Sequence, residues 1–537
     1  MGASTFTSRM ELVKACTLEQ LKAGKGIFVF KHGRKQIAVF QGKGEIHACN
    51  NRCPHEGYPL KMGTLTEGCI LTCNWHNWKF NLATGETLVG GDQLRRYPVS
   101  VKGGAVWLDL AEPAPEQRIA RATDSLREAF EDFDYDRMAR ELARLEQAGA
   151  DPLDGLRHTV RWSHDRFEYG MSHTQAAAAD WLALRADRGR GRTKQLVPLM
   201  ETVAHFSYDT LRQPCHSYPE EAIEFEAHGL VRAIEAEDEA AAIGHVRGAL
   251  AAGLGFAALE RPLTEAALAH FQDFGHSIIY VYKTRLLSER LGSTVLEPLL
   301  LPLVRSLVYA RREDLIPEFK AYAPALAAWD GKGGAAVGAE DFRGLSVRRA
   351  LALTVSASGD RGRLYDALFG TLAWNMLHYD IAMQARTDNA ISRNVGWLDF
   401  THGITFANAV RVQCGRHADL WPKGLLQMAC FAGRNAGFLD WDREGEGSAA
   451  DWRVDNPMAF FEDTFDTLFD HGQIEHIVAC HYIKTVTAAH AECRNAPDAS
   501  WVSTLAAALN RLINSPLKRR HAARTARQAL DFVAAEG

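Results

Sequence analysis

The chain has 537 residues, of which 47% are hydrophobic and 24% charged, and its formal net charge is -5. That length exceeds one ordinary hydrophobic core and predicts two to four domains or subdomains. The charge balance argues against nucleic acid or an anionic membrane surface as a partner, and ten cysteines are too few for a disulfide scaffold.

At the N-terminus, "MGASTFTSRMELVKACTLEQ" has no apolar stretch of the signal-peptide kind, so no secretory signal is expected. Gly2 follows Met1, but Phe6 stands where a myristoylation pattern wants Ser or Thr. No run of eighteen apolar residues occurs, so no membrane-spanning helix is predicted. A cytoplasmic setting with reduced thiols is the expectation. Two cysteines are assigned below, Cys49 and Cys69 lie near them in sequence, and the rest read as small buried apolar residues.

Residues 7–111 read as β structure. "GIFVFKHG", "KQIAVFQG", "EIHACN", "CILTCNW", "YPVSVKGG" and "AVWLDL" are short runs rich in β-branched and aromatic residues, separated by Gly, Asn and Lys-Gly turns. No helical period of any length is visible there. "AEPAPEQ" then reads as a linker, so residues 112–149 are assigned to a linker and a connecting helix. From 150 to 537, apolar residues recur at helical spacing in Ala-, Leu-, Glu- and Arg-rich segments. The glycine-rich stretch 330–344 is predicted as a long loop, and the basic tail "PLKRRHAARTARQAL" as a solvated helix face. The predicted class is multidomain α+β, a small antiparallel β domain followed by a large all-α domain.

Within the β region, Cys53 and His55 form a C-x-H pair and Cys73 and His76 a C-x-x-H pair, with seventeen residues between them. Two thiolates and two imidazoles suit tetrahedral zinc. A zinc finger, however, places two cysteines before two histidines, whereas each pair here mixes the two. The mixed arrangement suits a two-iron cluster with both thiolates on one iron and both imidazoles on the other. Residues 7–111 resemble the Rieske [2Fe–2S] family, with Cys53, His55, Cys73 and His76 on its ligand positions. "CNWHNWKF" resembles the second loop of Rieske oxygenases and their ferredoxins, with Trp78 and Phe80 after the ligand. Asn74 stands where the respiratory type has a disulfide cysteine. The resemblance implies a [2Fe–2S] cluster that passes one electron at a time and, without the respiratory Ser and Tyr hydrogen bonds, a lower potential.

Such a cluster performs no substrate chemistry, so the remaining chain is expected to hold what receives the electron. One candidate is the 2-His-1-carboxylate iron of a conventional Rieske oxygenase, for which Asp154, His158 and His164 are the nearest pattern. That domain is built on a curved antiparallel sheet. A second set is His173, His276, His402 and His481, in four separate helical segments. These segments resemble, in order and rough spacing, the questin oxidase-like family of helical non-haem iron oxygenases. Ser172, Thr174 and Gly403 depart from its pattern. The resemblance implies mononuclear iron held mainly by histidines, O2 as cosubstrate, and Lys484 as a carbamylated ligand, with His402 and Lys484 in catalytic roles. Asp380 and Glu475 are the alternative carboxylates. Tyr169, Trp374, Tyr379, Trp397 and Phe406 are candidate pocket aromatics.

The expected activity is hydroxylation or oxidative cleavage of an organic substrate, with aromatic polyketides suggested by the relatives. No G-x-G-x-x-G turn is placed for NAD(P)H or flavin, so an external reductase or ferredoxin is expected. The electron path runs within one chain or between subunits of an oligomer, alternatives the sequence leaves open. A Rieske electron carrier with a helical docking domain is the reading without oxygenase activity.

Overall fold

The N-terminal runs of β-branched and aromatic residues fold as eleven short strands. The structure is a computed structural model and describes residues 11–42, 44–66, 68–384, 386, 395–441, 450–515, 527, 529 and 530. Residues 7–10 of the predicted β domain and most of the basic tail lie outside the described residues. The chain divides into two compact units, Met1–Gly155 and Leu156–Gly537.

In the first unit, β1 (Leu12–Thr17), β2 (Ile27–His32), β3 (Lys35–Gly42), β4 (Glu45–Asn50), β5 (Thr64–Leu65), β6 (Ile70–Thr72), β7 (Lys79–Asn81), β8 (Thr87–Val89), β9 (Arg96–Tyr97), β10 (Val99–Lys102) and β11 (Ala105–Asp109) form three sheets. Their orders are β1-β11-β10, β2-β3-β4-β9 and β5-β6-β7-β8, and every pair is antiparallel. β3 is buried on both faces. Ala38 and Phe40 join a core with Cys49, Cys53, Leu60 and Phe80, while Ile37 and Val39 join another with Leu21, Val106 and Leu108. The strand therefore walls the ligand loops off from the base of the domain.

Three differences from the sequence reading stand out here. "LEQLKA" is a short helix, α1 (Leu18–Ala23), closed by a capping box between Thr17 and Gln20. Pro115 does not break structure; it is the first residue of α2 (Pro115–Glu131), where its missing N–H costs nothing. And 112–149 is a helical hairpin rather than a loose linker. α2 packs on α3 (Tyr135–Ala148), which starts at an Asp134 cap and ends at Gly149 in the left-handed region.

The second unit is helical. The helices used below are α4 (Asp154–Ser163), α5 (His173–Arg188), α6 (Gly191–Thr210), and three others cited by range: His276–Leu291, Trp397–Arg416 and His476–Asn495. One large apolar core, including Phe271, Phe406 and Phe431, joins α5 to the three helices cited by range. Among the described residues this unit holds only isolated bridges, Gln272 with Arg312 and Tyr379 with Leu439, and no sheet. The curved sheet required by the conventional Rieske oxygenase alternative is thus missing from them. The glycine-rich stretch is pinned: Gly333 N–H donates to Ser358 Oγ at 3.0 Å and Ala335 N–H to the Ser356 carbonyl at 2.9 Å. A Cβ at Gly333 would lie 2.4 Å from the carbonyls of Val355 and Ser356, so the close approach requires glycine. Cys215 is exposed rather than buried. No described helix is long and apolar enough to cross a membrane.

Two candidate metal centres

Both cysteine loops make the same turn. Cys53 N–H donates to the Tyr58 carbonyl at 2.9 Å and Gly57 N–H to the Cys53 carbonyl at 2.8 Å; Cys73 N–H donates to Trp78 at 2.7 Å and Asn77 N–H to Cys73 at 2.9 Å. Gly57 and Asn77 hold φ of 76° and 61°, a region those two residue types enter at least cost. The paired turns bring His55 Nδ1 and His76 Nδ1 to 3.0 Å. Cys53 and Cys73 are buried behind them. Burial, and the neighbouring Cys73 thiol after it, push the Cys53 thiol up to about 11. Iron charge would reverse that preference toward thiolate. Two sulfurs and two nitrogens presented by adjacent loops fit a [2Fe–2S] cluster of mixed ligation.

Packing fixes the loops. His55 lies flat on Trp78, with centroids 4.8 Å apart and planes 13° apart. A Cβ at Gly90, whose φ is 130°, would sit 2.4 Å from the Trp78 ring. Asn74 ties the loops where the respiratory type uses a disulfide: its amide donates to the Met62 carbonyl at 2.9 Å and accepts from Thr64 Oγ1 at 3.0 Å. Glu56, which the sequence reading passed over, puts its carboxylate 4.0 Å from His55 Nε2 and 3.8 Å from His76 Nδ1.

In the helical unit, the four histidines singled out by sequence converge. His173 Nε2 lies 3.0 Å from His276 Nε2, and His481 Nε2 lies 3.3 Å from His402 Nε2. The rings of His173 and His481 are 4.8 Å apart, and those of His276 and His402 4.4 Å. His173 and His276 each open a helix. Ser172 and Gln175 form a capping box for the first. The second follows Asp273, Phe274 and Gly275, with φ of 51°, 45° and 81°. Two consecutive non-glycine residues in that region store strain, which the surrounding packing must hold. Glu313 helps: its carboxylate accepts from Phe274 N–H at 3.3 Å. Burial pushes the Glu313 carboxyl up to about 7, with Asp273 adding to it.

Partners on the far side of the rings set their tautomers. His481 Nδ1 bonds the Ile477 carbonyl at 2.6 Å, and His276 Nδ1 bonds the Asp273 carbonyl. Each Nδ1 therefore carries the proton and each Nε2 keeps a lone pair turned to the centre. Burial, then the Lys484 charge, holds His173 and His481 well below the usual imidazole range and His276 down to about 4; burial, then His276, does the same for His402. The imidazoles are neutral near pH 7 and suited to metal. Lys484 lies three residues from His481 on one helix face. It is 1% exposed, its Nζ has no hydrogen-bond partner among the described residues, and burial lowers its affinity for a proton.

Sequence reasoning missed the residues behind this cluster. Asp209 accepts from Ser172 Oγ at 2.6 Å and from Thr174 Oγ1, bracketing His173, and lies 3.5 Å from His205 Nε2. Lys283 and Asp180 form a buried ion pair at 2.7 Å. An aspartate inside "AAAADWLAL" was the available signal, since a charge within an apolar run is buried only when paired. Other candidates lie elsewhere. Asp380 accepts from Ala382 N–H and Arg386. Glu475 is exposed. Tyr169 is 65% exposed. Trp374 stacks on His378, and Tyr379 packs on Trp397. His158 stacks on Trp162, and His164 Nδ1 bonds the Arg161 carbonyl. Of the aromatics, Phe406 stands at the site: it fills the space a Cβ on Gly275 would need.

Comparison with known proteins bears on the first centre. Residues 11–98 match the Rieske [2Fe-2S] domain. The ferredoxin component of the alkene monooxygenase system of Xanthobacter autotrophicus is 31% identical over 109 residues, covering 20% of this chain and 88% of that protein. The 3-phenylpropionate/cinnamic acid dioxygenase ferredoxin subunit of Escherichia coli is 32% identical over 108 residues, covering 20% of this chain and 100% of the subunit. The 4beta-methylsterol monooxygenase of Methylococcus capsulatus is 37% identical over 92 residues, 15% of this chain, and the chain spans only 25% of that enzyme's length. All of these matches fall in the N-terminal unit.

Proposed function

Through its N-terminal unit the chain belongs to the Rieske [2Fe–2S] family, and from that premise we propose that the whole protein is a Rieske-coupled non-haem iron oxygenase. The domains are then a Rieske domain at 7–111, a connecting segment at 112–149, and a questin oxidase-like catalytic domain at 150–537. One observation supports the reading: imidazoles from four helices face one another, with Nε2 atoms 3.0 and 3.3 Å apart in two pairs, near a buried lysine whose Nζ has no hydrogen-bond partner among the described residues. Structural histidines seldom face one another with lone pairs inward, because nothing then satisfies them.

Iron held there would supply one-electron chemistry toward O2, with electrons drawn from the cluster and ultimately from an external reductase or ferredoxin. His173, His276, His402 and His481 are assigned as its neutral ligands. The Nδ1–H bonds of His276 and His481 to backbone carbonyls orient those two rings and keep protons off their inner nitrogens. Lys484 is assigned as the fifth donor. Burial lowers its affinity for a proton and so favours the uncharged amine, the form that would take up CO2 as a carbamate and provide one anionic oxygen, the proton lost leaving with solvent. His402 and Lys484, facing the centre from different helices, are the catalytic pair. The substrate is a small organic molecule, hydroxylated or oxidatively cleaved. The setting is cytoplasmic.

Substituting His481 by Ala tests this reading. The expected protein keeps two irons, two sulfides and the visible spectrum of the cluster, but loses one iron per chain. If its metal content equals the wild type's, the helical unit is a docking module for an electron carrier and the proposal fails.

A further inference from the structure

We infer that Arg140, on the helical hairpin after the β domain, is a positioning residue that raises the reduction potential of the [2Fe–2S] cluster. The hairpin α2–α3 lies beyond residue 98, where the match to the Rieske domain ends. It nonetheless returns to the first ligand loop. Asp92 is the point of attachment. Its side chain is fully buried and accepts from Gln93 N–H at 2.6 Å, from Arg140 Nε at 3.1 Å, and from both terminal nitrogens of Arg144 at 3.0 Å. Burial pushes the Asp92 carboxyl up, but the bond to Arg144 and the charges of Arg144 and Arg140 outweigh it and hold it below the usual range.

The hairpin carries more acidic than basic residues, but place matters more than number. Asp92 and Arg144 form a bidentate pair. Arg137 pairs with Glu128, and Glu141 accepts from Ser125 Oγ at 2.8 Å and pairs with Arg144. Arg140 reaches the ligand loop itself: its Nη1 donates to the His55 carbonyl at 3.5 Å. Cys53, His55, Arg140 and Arg144 line one cavity of about 290 Å³. A cation beside a ligand loop favours the more negative, reduced cluster and so raises the potential. Arg140 is 27% exposed, so solvent moderates the effect.

The test is the cluster midpoint potential in the full-length holoprotein, read by visible absorption against redox mediators at low salt. R140Q is expected to shift the reduction equilibrium about threefold to tenfold toward the oxidised cluster, tenfold being ~59 mV for one electron. R140K, which keeps the charge, stays near wild type. D92N removes the carboxylate paired with Arg140, while Arg144 keeps Glu141, and moves the potential the opposite way. A loosened hairpin would move R140Q and D92N together, and that result overturns the inference. So does an R140Q potential equal to wild type, or an R140K shift as large as that of R140Q. The last comparison decides alone if D92N fails to fold. The readout concerns the cluster only, so it is separate from whether the helical unit binds iron.

Discussion

Glu313 is buried with no cation paired to it among the described residues, and burial pushes its carboxyl up from 4.5 to about 7. The native protein therefore holds a proton that the unfolded chain releases above pH 4.5. Stability falls as pH rises from 4.5 and the loss is complete above about 7, for a cost of roughly 3 kcal/mol from this group. E313Q should remove that slope. Denaturant unfolding of both proteins at pH 5 and pH 8 checks it: the stability of E313Q relative to wild type should rise by about that amount, and an unchanged difference would refute it. None of this is legible in the sequence, because a lone Glu in "RREDLIPEF" reads as surface. The four imidazoles are a different case. His173, His276, His402 and His481 were recoverable because their flanking residues resemble a family, not because of spacing, since they stand on four helices far apart in the chain. Asp209, Asp180 and Lys283 carry no such flanking signal, and only packing places them behind the cluster.

At the scale of elements, the turn before the His276 helix matters most. Gly275 has φ of 81°, and a Cβ there would meet Phe406 at 2.5 Å. Ala at that position pays both left-handed strain and a clash, about 2 kcal/mol or more together. G275A should therefore move His276 and lower iron retained in the helical unit at least severalfold, while cluster absorbance is kept. Equal iron retention on dialysis of the two proteins would show that the turn does not position the ligand. The strands illustrate what sequence patterns carry. β3 and β4 begin and end where the runs "KQIAVFQG" and "EIHACN", rich in β-branched and aromatic residues, do. β5, β7 and β8 have two or three residues each, too short for any period, and they were missed, whereas β6 lies within "CILTCNW". The sequence reading assigned 112–149 to a linker and a connecting helix, not a hairpin starting at Pro115, because Pro115 was taken as a breaker rather than as a first helical residue.

For the whole molecule, composition and pattern predicted the division into a β unit and a helical unit, and the structure has that division. The identity of the first unit rests on four ligands in two loops with one shared turn geometry. The second unit has its inward-facing nitrogens, but no comparison assigns it a chemistry, so its metal content decides the account. The most direct measurement is iron and acid-labile sulfide per chain in full-length protein purified without oxygen and supplied with ferrous iron. About three irons for two sulfides is the predicted result, two in the cluster and one among the helices. About two irons for two sulfides, with no gain on adding ferrous iron and no other metal, would contradict the account.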